Sequence, residues 1–417
     1  MQKVPVLDTS KQTLAPTDSI RARRLLKQNK AAVFKKFPFT IILKREVENP
    51  SLPDLTLKID PGSKTSGVAL VNQATGDIVF AAEISHRGQA IKARLESRKA
   101  LRRGRRNRKT RYRKPRFLNR TRVEGWLPPS LSSRISNVTT WANRLARVFP
   151  ISGVAMELVK FDLQKMQNPE ISGIQYQQGE DQGYEVREYL LEKFNRTCAY
   201  CKKKNLALQI EHINARSRGG SNRVSNLTLA CQSCNQKKGR MSAAEFGFPE
   251  VEKQAEKPLR DAAAVNASRL ALLGALKYFG FTVETGSGGL TKFNRTKRNL
   301  PKTHWLDAAC VGLSTPDRLI VSGVKPLLIK AMGYGSRQMC RTDKFGFPKA
   351  YRTRNKTFKG FKTGDIVRSN KPNQVQVGRV TIRQRNSFIL SGSDINIKYL
   401  TQIQRRDGYG YSQGVAC

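Results

Sequence analysis

The chain has 417 residues and a net charge of +46 at pH 7, from 77 Lys and Arg against 31 Asp and Glu. This excess predicts a polyanionic partner and argues against a metabolic enzyme for small neutral substrates. Seven cysteines are too few, and odd in number, for a secreted disulfide scaffold. No apolar run approaches the roughly 20 residues of a membrane span, and no signal-peptide core begins the chain, so we expect the chain to stay inside the cell without a membrane partner.

The first part of the chain predicts a small module and then a strand-rich region. Residues 20–34 place apolar side chains on one side of a helix, with Asp18 or Ser19 as its cap. Residues 39–43 (FTIIL) predict a strand. Within residues 55–84, the runs LTLKI, GVALVN and IVFAAEI are separated by glycine-containing turns, and they predict a mostly buried hairpin.

A strongly basic segment follows. Residues 87–116 contain 15 Lys or Arg and a single acid, Glu96. One interpretation is a solvated, disordered tail, but ordered segments are predicted on both sides of it. A helix that lies along a nucleic-acid backbone is therefore favoured.

The rest of the chain alternates helices, strands and one linker. The predicted elements are helices over 130–148, 259–281 and 303–312, a strand over 151–158, a Gln- and Gly-rich linker over 163–183, and short strands over 355–406. The short strands and their turn signals favour a small twisted barrel. No internal repeat is present.

Four of the seven cysteines form two Cys-x-x-Cys pairs. They are Cys198 with Cys201 and Cys231 with Cys234. Two such pairs supply the four thiolates of a tetrahedral structural Zn²⁺ site. The alternative is two local disulfides, which the interior of a cell disfavours.

The residues between and beside these pairs have a second pattern. Glu211 and His212 lie on a strand-like segment, a Gly-Gly turn follows, and then come Asn226 and Asn235. This resembles the HNH endonuclease family, whose ββα-metal site holds one Mg²⁺. The resemblance implies that His212 is the general base, that Glu211 and Asn235 hold Mg²⁺, and that Asn226 braces the histidine loop. The alternative is a zinc ribbon that binds nucleic acid without cutting it.

Three further acids fall in separate segments. Asp60 opens DPGSKTSG at the end of a predicted strand, and Glu157 lies inside the apolar strand VAMEL. An isolated buried Glu is costly, which makes a metal a plausible reason for its presence. His304 and Asp307 are three residues apart and so share one helical face. Each pattern alone also fits an ordinary turn, strand or helix start.

Together these segments resemble the RuvC-like nuclease, an RNase H fold. The resemblance implies that Asp60, Glu157 and Asp307 bind two Mg²⁺ ions and that His304 assists water activation. A RuvC-like fold split by an arginine-rich helix and an HNH insertion resembles the IscB family, the compact relative of the type II CRISPR effector. The strings GWLPPS, NPEISGIQYQQG, YLLEKF, TKFNR and LPKTHWLDAACVG carry this likeness. Leu14-Ala15-Pro16 departs from the Pro-Leu-Met-Pro motif of that family's first domain.

The resemblance predicts an α/β multidomain architecture: a split RuvC-like RNase H fold, a bridge helix, a zinc-containing HNH domain and a small C-terminal β-barrel-like domain. The expected boundaries are 1–49 for the PLMP-like domain, 50–84, 123–162 and 249–324 for RuvC segments I to III, 85–122 for the bridge helix, 163–184 for the linker, 185–248 for the HNH domain and 325–417 for the C-terminal domain.

The resemblance also implies an RNA-guided DNA endonuclease that is cytoplasmic, prokaryotic and nucleoid-associated. A structured guide RNA (ωRNA) would select double-stranded DNA beside a short flanking motif. HNH would cut the guide-paired strand and RuvC the displaced strand, with a monomer in a 1:1 ribonucleoprotein. The expected nucleic-acid contacts are Arg94, Arg98, Arg102, Arg103, Arg105, Arg106, Arg108 and Arg111. Residues 325–417, with 19 Lys or Arg against four Asp, would hold RNA and read the flanking motif.

Two other functions share parts of this pattern. A guide-independent nuclease, either a junction resolvase or a homing-type enzyme, would use the same acids without RNA. A non-cutting RNA-binding protein would need none of them. The full set of acids and histidines argues against the non-cutting RNA-binding protein. The basic segment and the C-terminal domain argue against the guide-independent nuclease.

Overall fold

The computed structural model describes most of the chain. The described residues are 2–108, 123, 125–158, 186–204, 206–256, 262–333, 340–345, 347–351, 357–372, 374–383 and 387–415. The expected linker over 163–184 lies outside these ranges. So does the end of the basic segment, with Arg111.

The elements follow the chain in this order. The strands are β1 Val4–Leu7, β2 Thr13–Thr17, β3 Ala31–Lys35, β4 Thr40–Leu43, β5 Leu55–Asp60, β6 Thr65–Asn72, β7 Ile78–Ser85, β8 Ile151–Glu157, β9 Leu208–His212, β10 Leu227–Cys231, β11 Val283–Gly286, β12 Leu327–Ala331, β13 Cys340–Thr342, β14 Pro348–Tyr351, β15 Thr357–Phe358, β16 Phe361–Lys362, β17 Ile366–Lys371, β18 Gln374–Ile382, β19 Phe388–Leu390, β20 Ser393–Ile395, β21 Leu400–Gln404 and β22 Tyr409–Gln413. The helices are α1 Ser19–Lys27, α2 Gly88–Arg106, α3 Pro129–Ala146, α4 Val186–Lys193, α5 Gln232–Lys238, α6 Pro249–Glu256, α7 Ala262–Tyr278, α8 Gly288–Lys297 and α9 His304–Ala309.

The N-terminal unit is a four-stranded sheet in the order β2-β1-β4-β3 with α1 beside it. The prediction of one helix over 20–34 is wrong in its second half, because α1 ends at Lys27 and β3 begins at Ala31. Asn29 takes a positive φ of 55°, which ends the helix and turns the chain. The sequence AAVFK of β3 contains a β-branched and an aromatic residue, both of which favour a strand.

The centre of the fold is a seven-stranded sheet in the order β11-β8-β5-β6-β7-β12-β22. Strands β5, β6 and β7 correspond to the three predicted runs LTLKI, GVALVN and IVFAAEI, and they are antiparallel neighbours. Strands β5, β8 and β11 run parallel to one another. Their carboxyl ends therefore meet at one edge of the sheet, which is where ligands bind in open sheets with parallel strands.

Helices cover both faces of this sheet. Side chains of β5 and β6 alternate between the faces, as the period of a strand requires. On one face α3 and α7 pack through Trp141, Leu145, Leu272 and Leu276 against Leu57, Ile59, Val68 and Leu70. On the other face α9 packs through Trp305, Leu306, Ala308 and Ala309 against Ala69, Val71, Ile78 and Ala81.

A smaller unit with its own core lies between β8 and α7 in the chain. Its antiparallel hairpin pairs β9 with β10, and α5 follows β10 directly. Tyr189, Leu190 and Phe194 from the region of α4 join the apolar residues of the hairpin and α6 in one cluster. The cysteine pairs belong to this unit.

The C-terminal region contains two short hairpins, β13-β14 and β15-β16, and a five-stranded antiparallel sheet in the order β20-β19-β18-β17-β21. Turns occur where the sequence predicted them, for example at Ser391 and Gly392, which both have positive φ. However, β12 pairs with β7, and β22 pairs with β12. Both ends of the segment expected as a C-terminal domain (325–417) therefore belong to the central sheet.

The basic segment forms α2, which covers the predicted helix as far as Arg106. Gly88 is the one buried residue of α2. A helix that is polar all round is stable only with a partner or many internal charge pairs. Of the helices in the described ranges, none is both long and apolar enough to cross a membrane.

Candidate functional site

The four cysteines of the two pairs converge. Their Sγ atoms all lie within 4.8 Å of one another, and those of Cys201 and Cys231 are 3.9 Å apart. Zinc bound tetrahedrally, with Zn–S bonds of about 2.3 Å, separates its sulfurs by about 3.8 Å. The set therefore fits a four-coordinate metal. Within the described residues, it is the one such group of His, Cys, Asp or Glu ligand atoms.

Backbone contacts hold the first pair against the hairpin. Ala199 donates its N–H to the carbonyl of Leu229 at 2.7 Å, and Cys231 N–H donates to Sγ of Cys198 at 3.4 Å. Burial raises the pKa of the Cys198 thiol, but backbone N–H donors from Cys231, Cys201 and Tyr200 outweigh burial and lower it to about 7. A lowered pKa favours the thiolate, which is the form that binds metal.

Glu211 lies in a buried ion pair. Lys238 Nζ is 2.7 Å from its Oε1, and Tyr200 donates its hydroxyl to Oε2 at 2.7 Å. The side chains of Lys238 and Glu211 are 0% and 6% exposed. Each carboxylate oxygen therefore accepts one bond, because a buried ammonium requires a nearby negative charge. The expectation that Glu211 holds Mg²⁺ stays a prediction.

His212, the next residue along β9, is half-buried and contacts Asn222 in the loop that follows β9. Its Nε2 lies 2.9 Å from Oδ1 of Asn222. An amide oxygen can only accept, so Nε2 carries the hydrogen and Nδ1 is the ring nitrogen able to take a proton. Asn235, on α5, donates from Nδ2 to Oε1 of Gln209 at 2.8 Å, and Lys238 Nζ also donates to the carbonyl of His212 at 2.9 Å.

Asn226 holds the loop that follows His212. Its Oδ1 accepts from the N–H of Asn214 at 2.9 Å, and its Nδ2 donates to the carbonyls of Asn214 and Ser221 at 3.1 and 2.8 Å. The carbonyl of Asn226 also accepts from the N–H of Ile213 at 2.8 Å. These are the bonds expected of a residue that braces the histidine loop.

Two of the three acids predicted from separate segments lie on neighbouring parallel strands. Asp60 is the last residue of β5, and Glu157 is the last residue of β8. The register pairs Ile59 with Met156, so the two acids follow side by side at the carboxyl edge of the sheet. The topology thus brings together residues from two distant segments.

The helix that carries His304 and Asp307 packs directly against this strand pair. Gly67 on β6 pairs with Asp60, and a Cβ at Gly67 would lie 1.8 Å from the carbonyl oxygen of His304. Only glycine permits this close approach. Thr303 caps the helix by accepting from the N–H of Leu306 at 3.3 Å.

Arginines accompany two of these carboxylates. Arg269 Nη2 lies 3.1 Å from Oε1 of Glu157, and Arg295 Nε lies 2.8 Å from Oδ1 of Asp307. Burial raises the pKa of Asp307, and the Arg295 charge opposes this rise. The carboxylates at this edge are not as closely grouped as the four thiols, since the described residues contain no second cluster of that kind.

Sequence reasoning missed several residues that shape these sites. Arg269, Arg295, Tyr200 and Lys238 contact the predicted acids, but no sequence pattern assigned them this role. Lys58 had a visible signal, a lysine inside the apolar run LTLKI. It is fully buried, donates to the carbonyl of Val311 at 2.7 Å, and burial lowers its pKa to about 8. It thereby ties β5 to the end of α9.

The arginines expected to contact nucleic acid are mostly exposed along α2. Those exposed are Arg94, Arg98, Arg102, Arg103 and Arg106. Arg105 and Arg108 are half-buried, and the guanidinium of Arg108 lies 4.7 Å from the ring centroids of both Phe345 and Phe347. Arg108, just after α2, thus contacts the C-terminal region by cation–π interactions.

Two family models match the chain. Residues 4–179 match the model described as RRXRR protein, which covers the N-terminal unit, β5 to β8 and the basic helix. Residues 198–241 match the model described as HNH endonuclease. The chain carries an HNH module. This match spans the cysteine cluster, both hairpin strands and α5, and it supports a nuclease. No curated protein matches the chain.

Solved structures with partial likeness are Cas9 proteins. Cas9 of Streptococcus thermophilus in complex with the GGAA PAM is 12% identical, with 54% of this chain and 31% of that chain covered and a TM-score of 0.22. The type II-C Cas9 enzyme of Actinomyces naeslundii is 19% identical, with 43% and 30% covered and a TM-score of 0.16. The chain spans about a third of the length of these proteins.

Proposed function

We propose that the protein is an RNA-guided endonuclease that cuts both strands of double-stranded DNA next to a short flanking motif. The observation that carries the proposal is the placement of two separate candidate sites in one chain. One lies in the HNH module, and the other lies at the carboxyl edge of the central sheet, where Asp60, Glu157 and the helix of Asp307 come together.

The central sheet is proposed to be the split RuvC-like fold. Asp60, Glu157 and Asp307 supply carboxylate oxygens, the ligands that Mg²⁺ prefers, so the chemistry of the donor set fits. Two Mg²⁺ ions, when bound, would supply charge for water activation and for the leaving oxygen. Arg269 and Arg295 hold two of these carboxylates in place through ion pairs that are partly open to solvent. His304, exposed at the start of α9, is placed to exchange a proton with solvent.

The HNH module is proposed to cut the guide-paired strand, with His212 as the general base through Nδ1. The Asn226 bonds fix the loop beside this ring, and Asn235 lies on the helix that follows the hairpin. Glu211 and Asn235 are proposed to hold Mg²⁺ there, since a carboxylate oxygen that accepts one hydrogen bond keeps a second lone pair. The four thiols fit Zn²⁺, which would hold the hairpin and α5 together as a structural metal.

The guide is proposed to be a structured RNA of the ωRNA type in a 1:1 complex with the monomer. The exposed arginines of α2 support this, since a regular row of cations on a 19-residue helix matches the charge of a nucleic-acid backbone. The basic residues of 325–417 would hold RNA and read the flanking motif. Membership of the IscB family is part of this proposal, and the sequence strings that resemble that family support it.

A nicking assay on a supercoiled plasmid tests whether each site cuts one strand. The ribonucleoprotein is purified from its host, its RNA is sequenced, and a plasmid with the matching target is supplied. Asp60→Ala should nick only the guide-paired strand, and His212→Ala should nick only the displaced strand. In each variant, the rate of cutting at the mutated site should fall by at least about 10³-fold.

Either single variant that still cuts both strands would overturn the assignment of its site. Absence of a discrete RNA, with plasmid cutting retained, would favour a guide-independent nuclease. Lys64→Ala, an exposed change beside the Asp60 turn, serves as the matched control and should leave both cuts intact.

A further inference from the structure

A two-stranded ribbon in the C-terminal region leaves nearly all of its side chains in solvent. The ribbon consists of β13, β14 and the described residues of the loop between them, 343–345 and 347. All four residues of β14 are exposed, and so are Arg341 and Thr342 of β13. None of its side chains belongs to the apolar cores that the described residues form. A two-stranded hairpin without a core is marginally stable in water, so the ribbon is suited to an external partner.

Aromatic rings make up much of the exposed surface of the ribbon. Tyr351 is 77% exposed, Phe345 is 50% exposed and Phe347 is 38% exposed. A single exposed apolar side chain is common on a protein surface, but three aromatic rings on one short hairpin form a concentrated patch. An exposed ring offers a flat face on which another planar group can stack.

Hydrogen bonds to one carboxylate hold the loop that carries the two phenylalanines. Oδ1 of Asp343 accepts from the backbone N–H groups of Phe345 and Phe347, both at 2.9 Å. The N–H of Asp343 donates to the carbonyl of Phe347 at 3.0 Å, which closes the loop. The backbone that carries both rings is therefore fixed by the ribbon itself, as it is in pre-organised binding sites.

A cation from the basic segment contacts both phenylalanines. The guanidinium of Arg108 lies 4.7 Å from the ring centroids of Phe345 and Phe347. Arg108 comes just after α2, the helix whose exposed arginines are proposed to contact the guide RNA. This contact places the ribbon next to the end of that helix, while half of the Phe345 side chain is still open to solvent.

The charge around the rings is mostly positive. Arg341, Lys344 and Lys349 are exposed, and Asp343 is the one acid among the described residues of the ribbon. Lys344 Nζ lies 5.1 Å from the ring centroid of Phe345. The core of a protein–protein interface is depleted of charge, whereas a single-stranded nucleic acid uses cations for its phosphates and open rings for its bases.

The bases that fit the ribbon are unpaired. In a duplex each base is already stacked on its neighbours, so the rings of the ribbon would have no base face to contact. A structured RNA presents unstacked bases in its loops, bulges and ends, and aromatic side chains stack on them. The contact with Arg108 favours the guide RNA over the displaced DNA strand, because it joins the ribbon to the helix proposed to contact the guide.

We propose that the ribbon binds unpaired nucleotides of the guide RNA. Phe345, Phe347 and Tyr351 are the stacking platforms, and the lysines beside them contact phosphates. This deepens the proposed function, on which it rests for the identity of the RNA. Stacking of this kind tolerates any base sequence, because every base has a flat face. The ribbon then contributes affinity for the guide and leaves the choice of target to base pairing.

Ultraviolet crosslinking of the full-length protein to a defined oligonucleotide tests the proposal directly. The probe is a fluorescein-labelled oligouridine of about 12 nucleotides, a length in the range of ordinary single-strand sites. An RNA duplex of the same length is the comparison. After irradiation and digestion with nuclease and trypsin, mass spectrometry should locate uridine adducts in the peptide FGFPK (residues 345–349) or on Tyr351.

Affinities of variants for the oligouridine separate stacking from charge. Tyr351→Ala should weaken binding about tenfold and Phe345→Leu about fivefold, with the dependence of affinity on salt unchanged. Lys349→Met should instead lower the slope of log affinity against log salt by about 0.7, because it removes one phosphate contact. Tyr278→Ala, a tyrosine 88% exposed at the end of α7, is the matched control and should change nothing. Affinity for the duplex should be the same for Tyr351→Ala and wild type.

The ribonucleoprotein purified from its host identifies the nucleic acid at the ribbon. Irradiated without target DNA, it should give RNA adducts on the same residues as the oligouridine. Adducts that form there only after target DNA is added would overturn the inference in favour of the displaced strand.

The inference is also overturned if the oligouridine crosslinks only outside the ribbon, or if neither Tyr351→Ala nor Phe345→Leu weakens binding more than Tyr278→Ala. Equal losses of affinity for the duplex and the single strand would contradict stacking as well. Because the oligouridine assay needs neither the guide nor cutting, its failure is separate from failure of the plasmid assay.

Discussion

The HNH module and the central-sheet site both surround buried carboxylates with cations, but they do so to different degrees. In the module, Lys238 and Glu211 are 0% and 6% exposed and share further hydrogen bonds with Tyr200 and the His212 carbonyl. At the sheet edge, the members of the Arg269–Glu157 and Arg295–Asp307 pairs are 11% to 17% exposed. The fully enclosed pair is suited to holding a fold, and the partly open pairs are suited to rearranging when a ligand arrives.

The two sites also differ in how they are assembled. The module gathers its four thiols and its histidine within residues 198–241, on one turn, one hairpin and one helix. The sheet site needs three segments from distant parts of the chain, which meet through the central sheet. A metal at the thiols would therefore stabilise the module locally, while the sheet site depends on the central core.

The largest expected effect is the loss of the metal from the module. Cys198→Ser should abolish binding of one equivalent of zinc and expose the β9–β10 hairpin, because structural zinc supplies roughly 10 kcal/mol of folding free energy. Zinc stoichiometry and hydrogen exchange of the amides in Leu227–Cys231 measure it. Cys340→Ser, a cysteine outside the cluster, is the control and should retain the zinc. One tightly bound zinc in the Cys198 variant would contradict the assignment.

The next effect tests the buried pair of the module. Lys238→Met leaves the Glu211 charge buried without its ammonium and should cost about 3 to 5 kcal/mol of local stability, read from the same amides. Lys237→Met, the neighbouring exposed lysine, should cost less than about 0.5 kcal/mol. The double variant Lys238→Met with Glu211→Leu should recover most of the loss. A harmless Lys238→Met would show that Glu211 is free to bind metal.

A third effect belongs to the central sheet and depends on pH. Burial lowers the pKa of His86 to about 4, so the unfolded chain binds this proton more tightly than the folded one. The stability from this histidine is present above pH 6.5 and is lost as pH falls towards 4, by on the order of 2 kcal/mol at pH 5. Unfolding of wild type and His86→Gln is compared at pH 7 and pH 5. An equal pH dependence in both would exclude His86 as the cause.

The smallest effect concerns the loop beside His212. Asn226→Ala removes three side-chain hydrogen bonds from a solvent-exposed loop and should cost about 1 to 2 kcal/mol of local stability. Cutting of the guide-paired strand should fall while the displaced strand is cut normally. Gln236→Ala, an exposed change on α5 outside this loop, is the comparison. A loss of both cuts together would mean that the loop supports more than its own module.

The sequence predicted the local features well. The cysteine spacing identified the thiol cluster, the apolar periodicity located α3 and α7, and the basic segment identified α2. The prediction of one helix over 20–34 was wrong because the pairing of β3 with β4 overrides the helical pattern after Asn29. Nothing in the sequence indicates that Lys238 would be buried against Glu211, whose expected role stays a prediction.

What the sequence determined by itself was therefore the chemistry that lies within a few tens of residues. The spacing of the cysteines alone predicts that two Cys-x-x-Cys pairs converge on one metal site, and the net charge alone predicts a polyanionic partner. Tertiary structure decided which acids are neighbours, which arginines and lysines neutralise them, and that Arg108 contacts Phe345 and Phe347. The physical reason is that the energy of a buried charge depends on groups from distant segments, and these meet only when strand order and helix packing are complete.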